Sequence, residues 1–256
     1  MRLDVVIPAH NEEKRIGRTL RAYRARCTSP DTRFIVALDR CTDRTIDVVR
    51  RHMSADHRVG LLQFPKLGKG GVLMEAFRVC EADLIGFVDA DCATPPAEFL
   101  RLVEAAETAD GAIATRYHPA AVLPNRRSMS RRLTSVGFSL VVRNLFGLPY
   151  TDTQCGAKVL SYDLVRRITP LLSSRDFLFD VDVLVTARRL GFTIVEVPTI
   201  WIDRDGSHVN AAADAKKMAV SALRLWLHHK TIPLPDDDTI ETSERVPTLV
   251  PSRAAS

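Results

Sequence analysis

Four short and almost wholly apolar runs frame this 256-residue chain: Leu3–Pro8, Phe34–Leu38, Val59–Gln63 and Leu84–Val88. Each is bounded by polar turn residues, the pattern of strands buried on both faces of a sheet. Helical patterns lie between them. Asn11-Glu12-Glu13 is expected to open a helix carrying Ile16, Leu20 and Tyr23 on one face, with acids in the first turn where the helix dipole favours them. Asp43–His52 and Val72–Cys80 read as further helices, the second after a glycine-rich loop at Lys66–Gly71. Pro95-Pro96 starts another at Ala97–Thr108, and Gly111–Thr115 is the next strand. Alternation with short connections predicts an α/β, Rossmann-like domain: a mostly parallel central sheet with helices on both faces.

Beyond Arg116 the pattern is more helical, with Ser128–Phe146, Asp176–Arg189 and Asn210–His229, a Gly147–Cys155 loop, and an alternating strand at Thr193–Trp201. From Thr231 the chain turns acidic and rich in Pro, Ser and Thr. Residues 1–230 are therefore expected to form one domain, and 231–256 a disordered acidic tail. Five acids against two arginines in that tail leave residues 1–230 at about +8, although the whole chain carries +5. A basic domain favours anionic partners. Helix-turn-helix spacing, zinc ligands and RNA-recognition aromatics are all missing, so nucleic acid is not the expected partner. The five cysteines are scattered without a CxxC pair, which argues against a disulfide framework and for a reducing compartment. Met1 leads directly into a strand pattern, and the longest apolar stretch, Val136–Val142, falls far short of the ~20 residues of a spanning helix. The expected location is cytoplasmic.

In open α/β sheets ligands bind outside the carboxyl ends of the strands. Polar clusters fall at those ends: Ala9–Glu12, Asp39–Thr42, Asp89–Asp91 and Arg116. Asp89-Ala90-Asp91 follows a buried strand and precedes Pro95-Pro96. Two carboxylates one residue apart can both face a divalent cation if the backbone turns there. Hard oxygen ligands suit Mg²⁺ or Mn²⁺ bridging a diphosphate. Asp39 can accept from a ribose or base edge, and Thr42 and Asp43 suit a helix cap. Leu67-Gly68-Lys69-Gly70-Gly71 lacks phosphate-loop spacing, but its backbone N–H groups and one cation can approach an anion. Arg116, Arg126, Arg127, Arg131, Arg132 and Arg143 form the densest basic region. For Arg116, just after a strand, phosphate binding is the favoured reading, while a solvated helix face suits Arg132 and Arg143.

Taken together, VVIPAHNEEKRI (5–16), LDRCTDRT (38–45), KLGKGGVLMEAF (66–77), FVDADCATPP (87–96), ATRY (114–117), DTQCGAKVLS (152–161), FDVDVLVTARRLGF (179–192) and VPTIWIDRDGSHVN (197–210) resemble the family-2 glycosyltransferases of the GT-A fold. Within that family the pattern is most like the branch of dolichyl-phosphate β-glucosyltransferase and dolichyl-phosphate mannose synthase. The resemblance implies an inverting, metal-dependent transfer of a hexose from a nucleotide-sugar (UDP-glucose or GDP-mannose) to a polyprenyl phosphate. By position it implies that Pro8, Ala9, Glu12, Asp39, Lys69, Asp89 and Ala90 line the nucleotide and that Asp89 and Asp91 meet the metal. Arg116, Arg127 and Arg131 would hold the acceptor phosphate, with Gln154 near the acceptor side. Trp201 and Ser207 would belong to a loop closing over the site. The chain departs from the family's usual DDGSTDGT at Leu38–Thr45, where one acid is lost and an arginine appears, and at His208, where a lysine is usual.

A lipid phosphate is already ionised near neutral pH and can attack the anomeric carbon itself. A hydroxyl on a small molecule would need a carboxylate base, for which Asp152 and Asp180 are the candidates. A soluble transferase acting on a natural-product hydroxyl and a noncatalytic nucleotide-sugar-binding protein are the competing readings. The Asn210–His229 helix, with Met218, Leu223 and Trp226 among basic residues, either packs on the domain or lies on an anionic bilayer at the inner face of the membrane.

Overall fold

The computed structural model describes residues 1–124, 129–203 and 211–231, with the backbone alone at 129–135 and 211–217. Seven strands make one sheet: β1 (Leu3–Ala9), β2 (Thr32–Asp39), β3 (Val59–Phe64), β4 (Leu84–Val88), β5 (Gly111–Thr115), β6 (Ala157–Ser161) and β7 (Ile194–Pro198). Their order is β3-β2-β1-β4-β6-β5-β7. Pairing is parallel from β3 through β4 and again between β5 and β7, while β6 runs antiparallel to both its neighbours. The helices are α1 (Ile16–Arg26), α2 (Thr45–Ala55), α3 (Gly68–Phe77), α4 (Pro96–Ala106), α5 (Met129–Phe146), α6 (Tyr162–Ile168), α7 (Phe179–Arg189) and α8 (Ala211–Thr231).

The period-two alternation of side chains along each strand divides the core between the two faces. Val5, Ile7, Phe34 and Val36 pack with Leu20, Tyr23, Val49, Phe99 and Leu102 of α1, α2 and α4. Val6, Ile35 and Phe87 pack on the other face with Val72, Phe77, Val142, Leu164, Val183 and Leu225 of α3 and α5–α8. This is the two-sided burial that the apolar runs require.

Three expectations need correction. The helix after β1 begins at Ile16, not at Asn11, because Asn11 has φ 55° and its Oδ1 accepts from Thr42 N–H at 2.8 Å. Residues 11–13 thus tie the first strand's loop to the second's rather than starting a helix. Similarly, α3 begins within the glycine run expected as a loop. Its N–H groups at Gly70 and Gly71 donate to the Arg175 carbonyl at 3.0 and 3.4 Å. A Cβ at Gly70 would strike the Ser174 carbonyl, so glycine here serves close backbone approach. Finally, residues 157–168, unassigned by the sequence pattern after the Gly147–Cys155 loop, form β6 and α6. A lysine at the second position of Ala157–Ser161 masks a strand whose first four residues are buried.

Candidate active site

The loops after β1, β2 and β4 each contain a non-glycine residue in the left-handed region: Asn11 (φ 55°), Arg40 (φ 46°) and Cys92 (φ 58°). Such conformations cost roughly 1–3 kcal/mol each and cluster where function demands a sharp turn. At Cys92 the turn follows Asp91 directly. Asp91 Oδ1 accepts from Ala93 N–H at 2.9 Å, and the Thr19 hydroxyl of α1 donates to the Ala90 carbonyl at 2.6 Å. Tyr23 fixes the same loop by donating to Thr94 O at 2.9 Å. With its backbone held from below, the loop presents Asp89 and Asp91, both partly exposed, at the carboxyl edge of the sheet.

Burial pushes the Asp91 carboxyl above its usual value, and the negative Asp89 beside it adds to the rise. A carboxylate held beside a like charge in this way favours a cation shared between the two. Among the described residues no group of three or more His, Cys, Asp or Glu is placed to hold a metal. The Asp89–Asp91 pair by itself suits an ion such as Mg²⁺ or Mn²⁺, which binds through one or two carboxylates and completes its shell with water and substrate phosphates.

The other residues that the resemblance assigns to the nucleotide converge on the same edge. Pro8 and Ala9 close β1 and are buried. Glu12 pairs with Arg15 through two bonds of 2.5 and 2.6 Å. Its carboxyl is nonetheless raised, chiefly by burial and further by Asp91 and Asp89, which places it in the field of the acid pair. Asp39 accepts from Leu67 N–H at 2.6 Å and Gly68 N–H at 3.2 Å. It therefore holds the start of α3 in position. Asp43 accepts from Thr45 N–H at 2.9 Å, but Arg44 takes the N-cap position of α2 and Thr42 bonds to Asn11, so neither Thr42 nor Asp43 is the cap expected of it.

Lys69, from the first turn of α3, reaches Asp89 Oδ1 at 2.9 Å and Asp180 Oδ2 at 3.3 Å. Asp180 in turn accepts from Lys158 at 2.6 Å, and the Lys158 ammonium also donates to the Cys155 carbonyl at 2.8 Å. Burial opposes charge on Lys69, but Asp180 and Asp89 hold its ammonium above the ordinary lysine value. Burial likewise lifts the Asp180 carboxyl, and Lys158 with Lys69 overcomes that lift and keeps it low. Lys158, wholly buried, went unremarked in the sequence because a lysine inside a short apolar run reads as a surface break.

A second cluster sits at the ends of β5 and β6. The Arg116 guanidinium forks onto Asp152 at 2.6 and 2.9 Å, and its own N–H donates to the same carboxylate at 3.0 Å. The guanidinium also lies over the rings of Trp201 (4.9 Å) and Tyr117 (5.4 Å). Burial would raise Asp152, but Arg116 holds it below the usual carboxylate range. Both residues are thus committed to each other: Arg116 braces the loop, and Asp152 lacks the free, proton-seeking carboxylate of a base. Asp180 is bound in the same way between its two lysines. Gln154 N–H donates to Asp152 Oδ1 at 3.3 Å, while Gly156 accepts from Asp89 N–H at 3.1 Å, so the 152–156 loop joins the two clusters. A Cβ at Gly156 would fall on the Asp89 carboxylate. Ile202 N–H donates to Ala93 O at 2.9 Å, tying the chain after β7 to the acid-pair loop. Arg126, Arg127, Ser207, His208 and the tail from 232 lie outside the described residues, as does the side chain of Arg131.

The chain is similar to known proteins in sequence and in fold. Residues 4–168 match the model of the family described as Glycosyl transferase family 2. An undecaprenyl-phosphate mannosyltransferase of Micrococcus luteus is 32% identical over 210 residues, which cover 80% of this chain and 85% of that protein. A dolichyl-phosphate beta-glucosyltransferase of Dictyostelium discoideum is 29% identical over 87% of this chain and 73% of its own length. The glycosyltransferase AglD of Haloferax volcanii is 30% identical over 88% of this chain, which spans only 37% of that protein. Among solved structures, a glucosyl-3-phosphoglycerate synthase from Mycobacterium tuberculosis, in complex with Mn²⁺, UDP and phosphoglyceric acid, superposes with a TM-score of 0.67. It shares 17% identity and covers 91% of this chain and 79% of its own, a likeness of fold. The acid pair at the end of β4 and the match over residues 4–168 make this chain a member of the family-2 glycosyltransferases, built on the GT-A fold.

Proposed function

We propose that this protein transfers a hexose from a nucleotide-sugar to a polyprenyl phosphate, with inversion at the anomeric carbon. The observation that carries the acceptor class is the state of the two candidate bases. Asp152 and Asp180 are both buried and both locked in ion pairs, so neither is poised to take a proton from a hydroxyl acceptor. A phosphate monoester brings its own anionic oxygen and needs no base; positioning and electrostatics then carry the step. Its oxygen forms a bond to the anomeric carbon as the bond from that carbon to the diphosphate breaks, and the nucleoside diphosphate leaves with the electron pair.

A divalent cation on Asp89 and Asp91 would neutralise charge on that diphosphate. Pro8, Ala9, Glu12, Asp39 and Ala90 would line the nucleotide, and Lys69, paired with Asp89, would meet a diphosphate oxygen. Arg116 acts in this reading by fixing the 152–156 loop, with Gln154 on the acceptor side. Arg127 and Arg131 remain the proposed contacts to the acceptor phosphate. Relatives named for dolichyl- and undecaprenyl-phosphate support the lipid acceptor.

No helix among the described residues is long and apolar enough to cross a membrane. Peripheral contact is proposed instead. Val220, Leu223 and Leu227 of α8 and Leu140 and Val141 of α5 are exposed, on two helices that touch. Residues 129–146 and 211–231 contain seven Lys and Arg against the single acid Asp214. An exposed apolar stripe on two helices this rich in basic residues suits an anionic bilayer.

The test is an assay of nucleoside diphosphate release from UDP- and GDP-sugars with Mn²⁺ and a polyprenyl phosphate. Release requiring both metal and lipid, and falling on the order of 10²-fold or more in Asp91→Asn, is expected. Donor binding without lipid-dependent release would overturn the acceptor class.

A further inference from the structure

The acid pair and the buried lysines form one line of alternating charge: Asp89, Lys69, Asp180, Lys158. Its inner end is fixed. Lys158 is fully buried, bonded to Asp180 Oδ1 at 2.6 Å and to the Cys155 carbonyl at 2.8 Å. Lys158 and Lys69 also face the ring of Phe87, at 5.5 and 5.9 Å from its centroid. The outer end is looser. Lys69 divides its ammonium between Asp89 Oδ1 at 2.9 Å and Asp180 Oδ2 at 3.3 Å, and the Asp89 side chain is about a third exposed.

We propose that Lys69 is the resident counter-ion of Asp89, docked by the Asp180–Lys158 pair, and that a divalent cation and a nucleoside diphosphate bind cooperatively because the diphosphate draws Lys69 away from Asp89. The proposal rests on the nucleotide-sugar reading above. Its physical basis is that an ammonium 2.9 Å from a carboxylate oxygen occupies the ground a divalent cation needs, and the two positive charges repel. With no diphosphate present the cation must displace Lys69 towards Asp180 alone. A bound diphosphate supplies Lys69 with a second anionic partner and vacates Asp89. By linkage each ligand then raises the affinity for the other by the same factor. Asp180 and Lys158 are positioning residues in this scheme: they touch neither ligand and set where Lys69 rests.

The experiment measures Mn²⁺ binding to the full-length protein by the electron paramagnetic resonance of free Mn²⁺, alone and with saturating UDP or GDP. For the wild type, nucleotide should raise Mn²⁺ affinity by about 5–150-fold, the usual range of such coupling. Lys69→Met leaves the Asp180–Lys158 pair intact. It should bind Mn²⁺ alone more tightly than the wild type, by about 5-fold or more, and should lose most of the enhancement by nucleotide. Asp180→Asn should do the opposite to Mn²⁺ alone, lowering affinity because Lys69 is left to Asp89. If that variant fails to fold because Lys158 is stranded, the Asp180→Asn/Lys158→Met double variant makes the same test. Opposite signs for Lys69 and Asp180 are a result that general loosening of the site cannot produce. Unchanged or weaker Mn²⁺ binding in Lys69→Met, or no Mn²⁺ binding by either protein, overturns the proposal. If the opposite signs appear while no lipid phosphate is glycosylated, the counter-ion stands and the lipid-acceptor reading falls.

Discussion

At the scale of single residues the site is a set of side chains whose roles depend on what stands behind them. Asp89 and Asp91 were legible because two acids follow a buried strand. That both carboxylates face the sheet edge was not, since it depends on a left-handed Cys92 and on the Thr19 and Tyr23 bonds from α1. Gly156 is another silent position. Nothing in DTQCG marks it as the floor beneath Asp89, yet a Cβ there collides with that carboxylate. Gly156→Ala should therefore lower nucleoside diphosphate release on the order of 10²-fold, the usual effect of an ångström-scale misplacement. Its thermal midpoint should move by only a few degrees. Activity within twofold of wild type would show that Asp89 has room to move.

Secondary-structure elements were read well where their pattern was long and badly where tertiary contacts set it. β1, β2 and β4 were legible from apolar runs alone. β6 was hidden by Lys158, whose charge is paired with Asp180 from α7, 22 residues on. The C-terminal helix packs on the domain, one half of the alternative drawn from its sequence, and leaves its outer face exposed. Its inner face packs through Ala222 and Leu225, and His229 bonds to the buried Asp182 at 2.7 Å. Trp226 is half-buried beneath Lys230, so it is not the residue on which a bilayer test turns. Leu223 is, being 53% exposed. Leu223→Glu should cut sedimentation with anionic liposomes several-fold, with little change in release assayed on a water-soluble short-chain acceptor. Equal sedimentation of both proteins would remove the bilayer from the α5–α8 face.

Across the whole molecule, buried and half-buried ion pairs, most of them between parts distant in the chain, set its response to acid. Asp152 with Arg116, Asp180 with its two lysines, and Asp56 with Arg58 and Arg24 are carboxyls that burial would raise but that their partners hold below the usual value. A carboxyl depressed in the folded state contributes stability above its unfolded pKa of about 4 and loses it as pH falls through the folded value. The urea midpoint should therefore be steady from neutral pH to about 5 and decline below about 4. A midpoint indifferent to pH down to 3 would show these pairs to be energetically idle. What the sequence by itself determined was the α/β architecture, the edge of the sheet that carries the chemistry, and the acid pair. Apolar periodicity and turn residues are local quantities, and the strand ends follow from them. What only the tertiary structure decided was the employment of each charge. Arg116 and Asp152 are 36 positions apart, and Lys69 and Asp180 are 111, so no local pattern records that they meet. A charged side chain has the same identity free or paired. Its freedom to bind a phosphate or take a proton is set by the neighbour that folding brings to it.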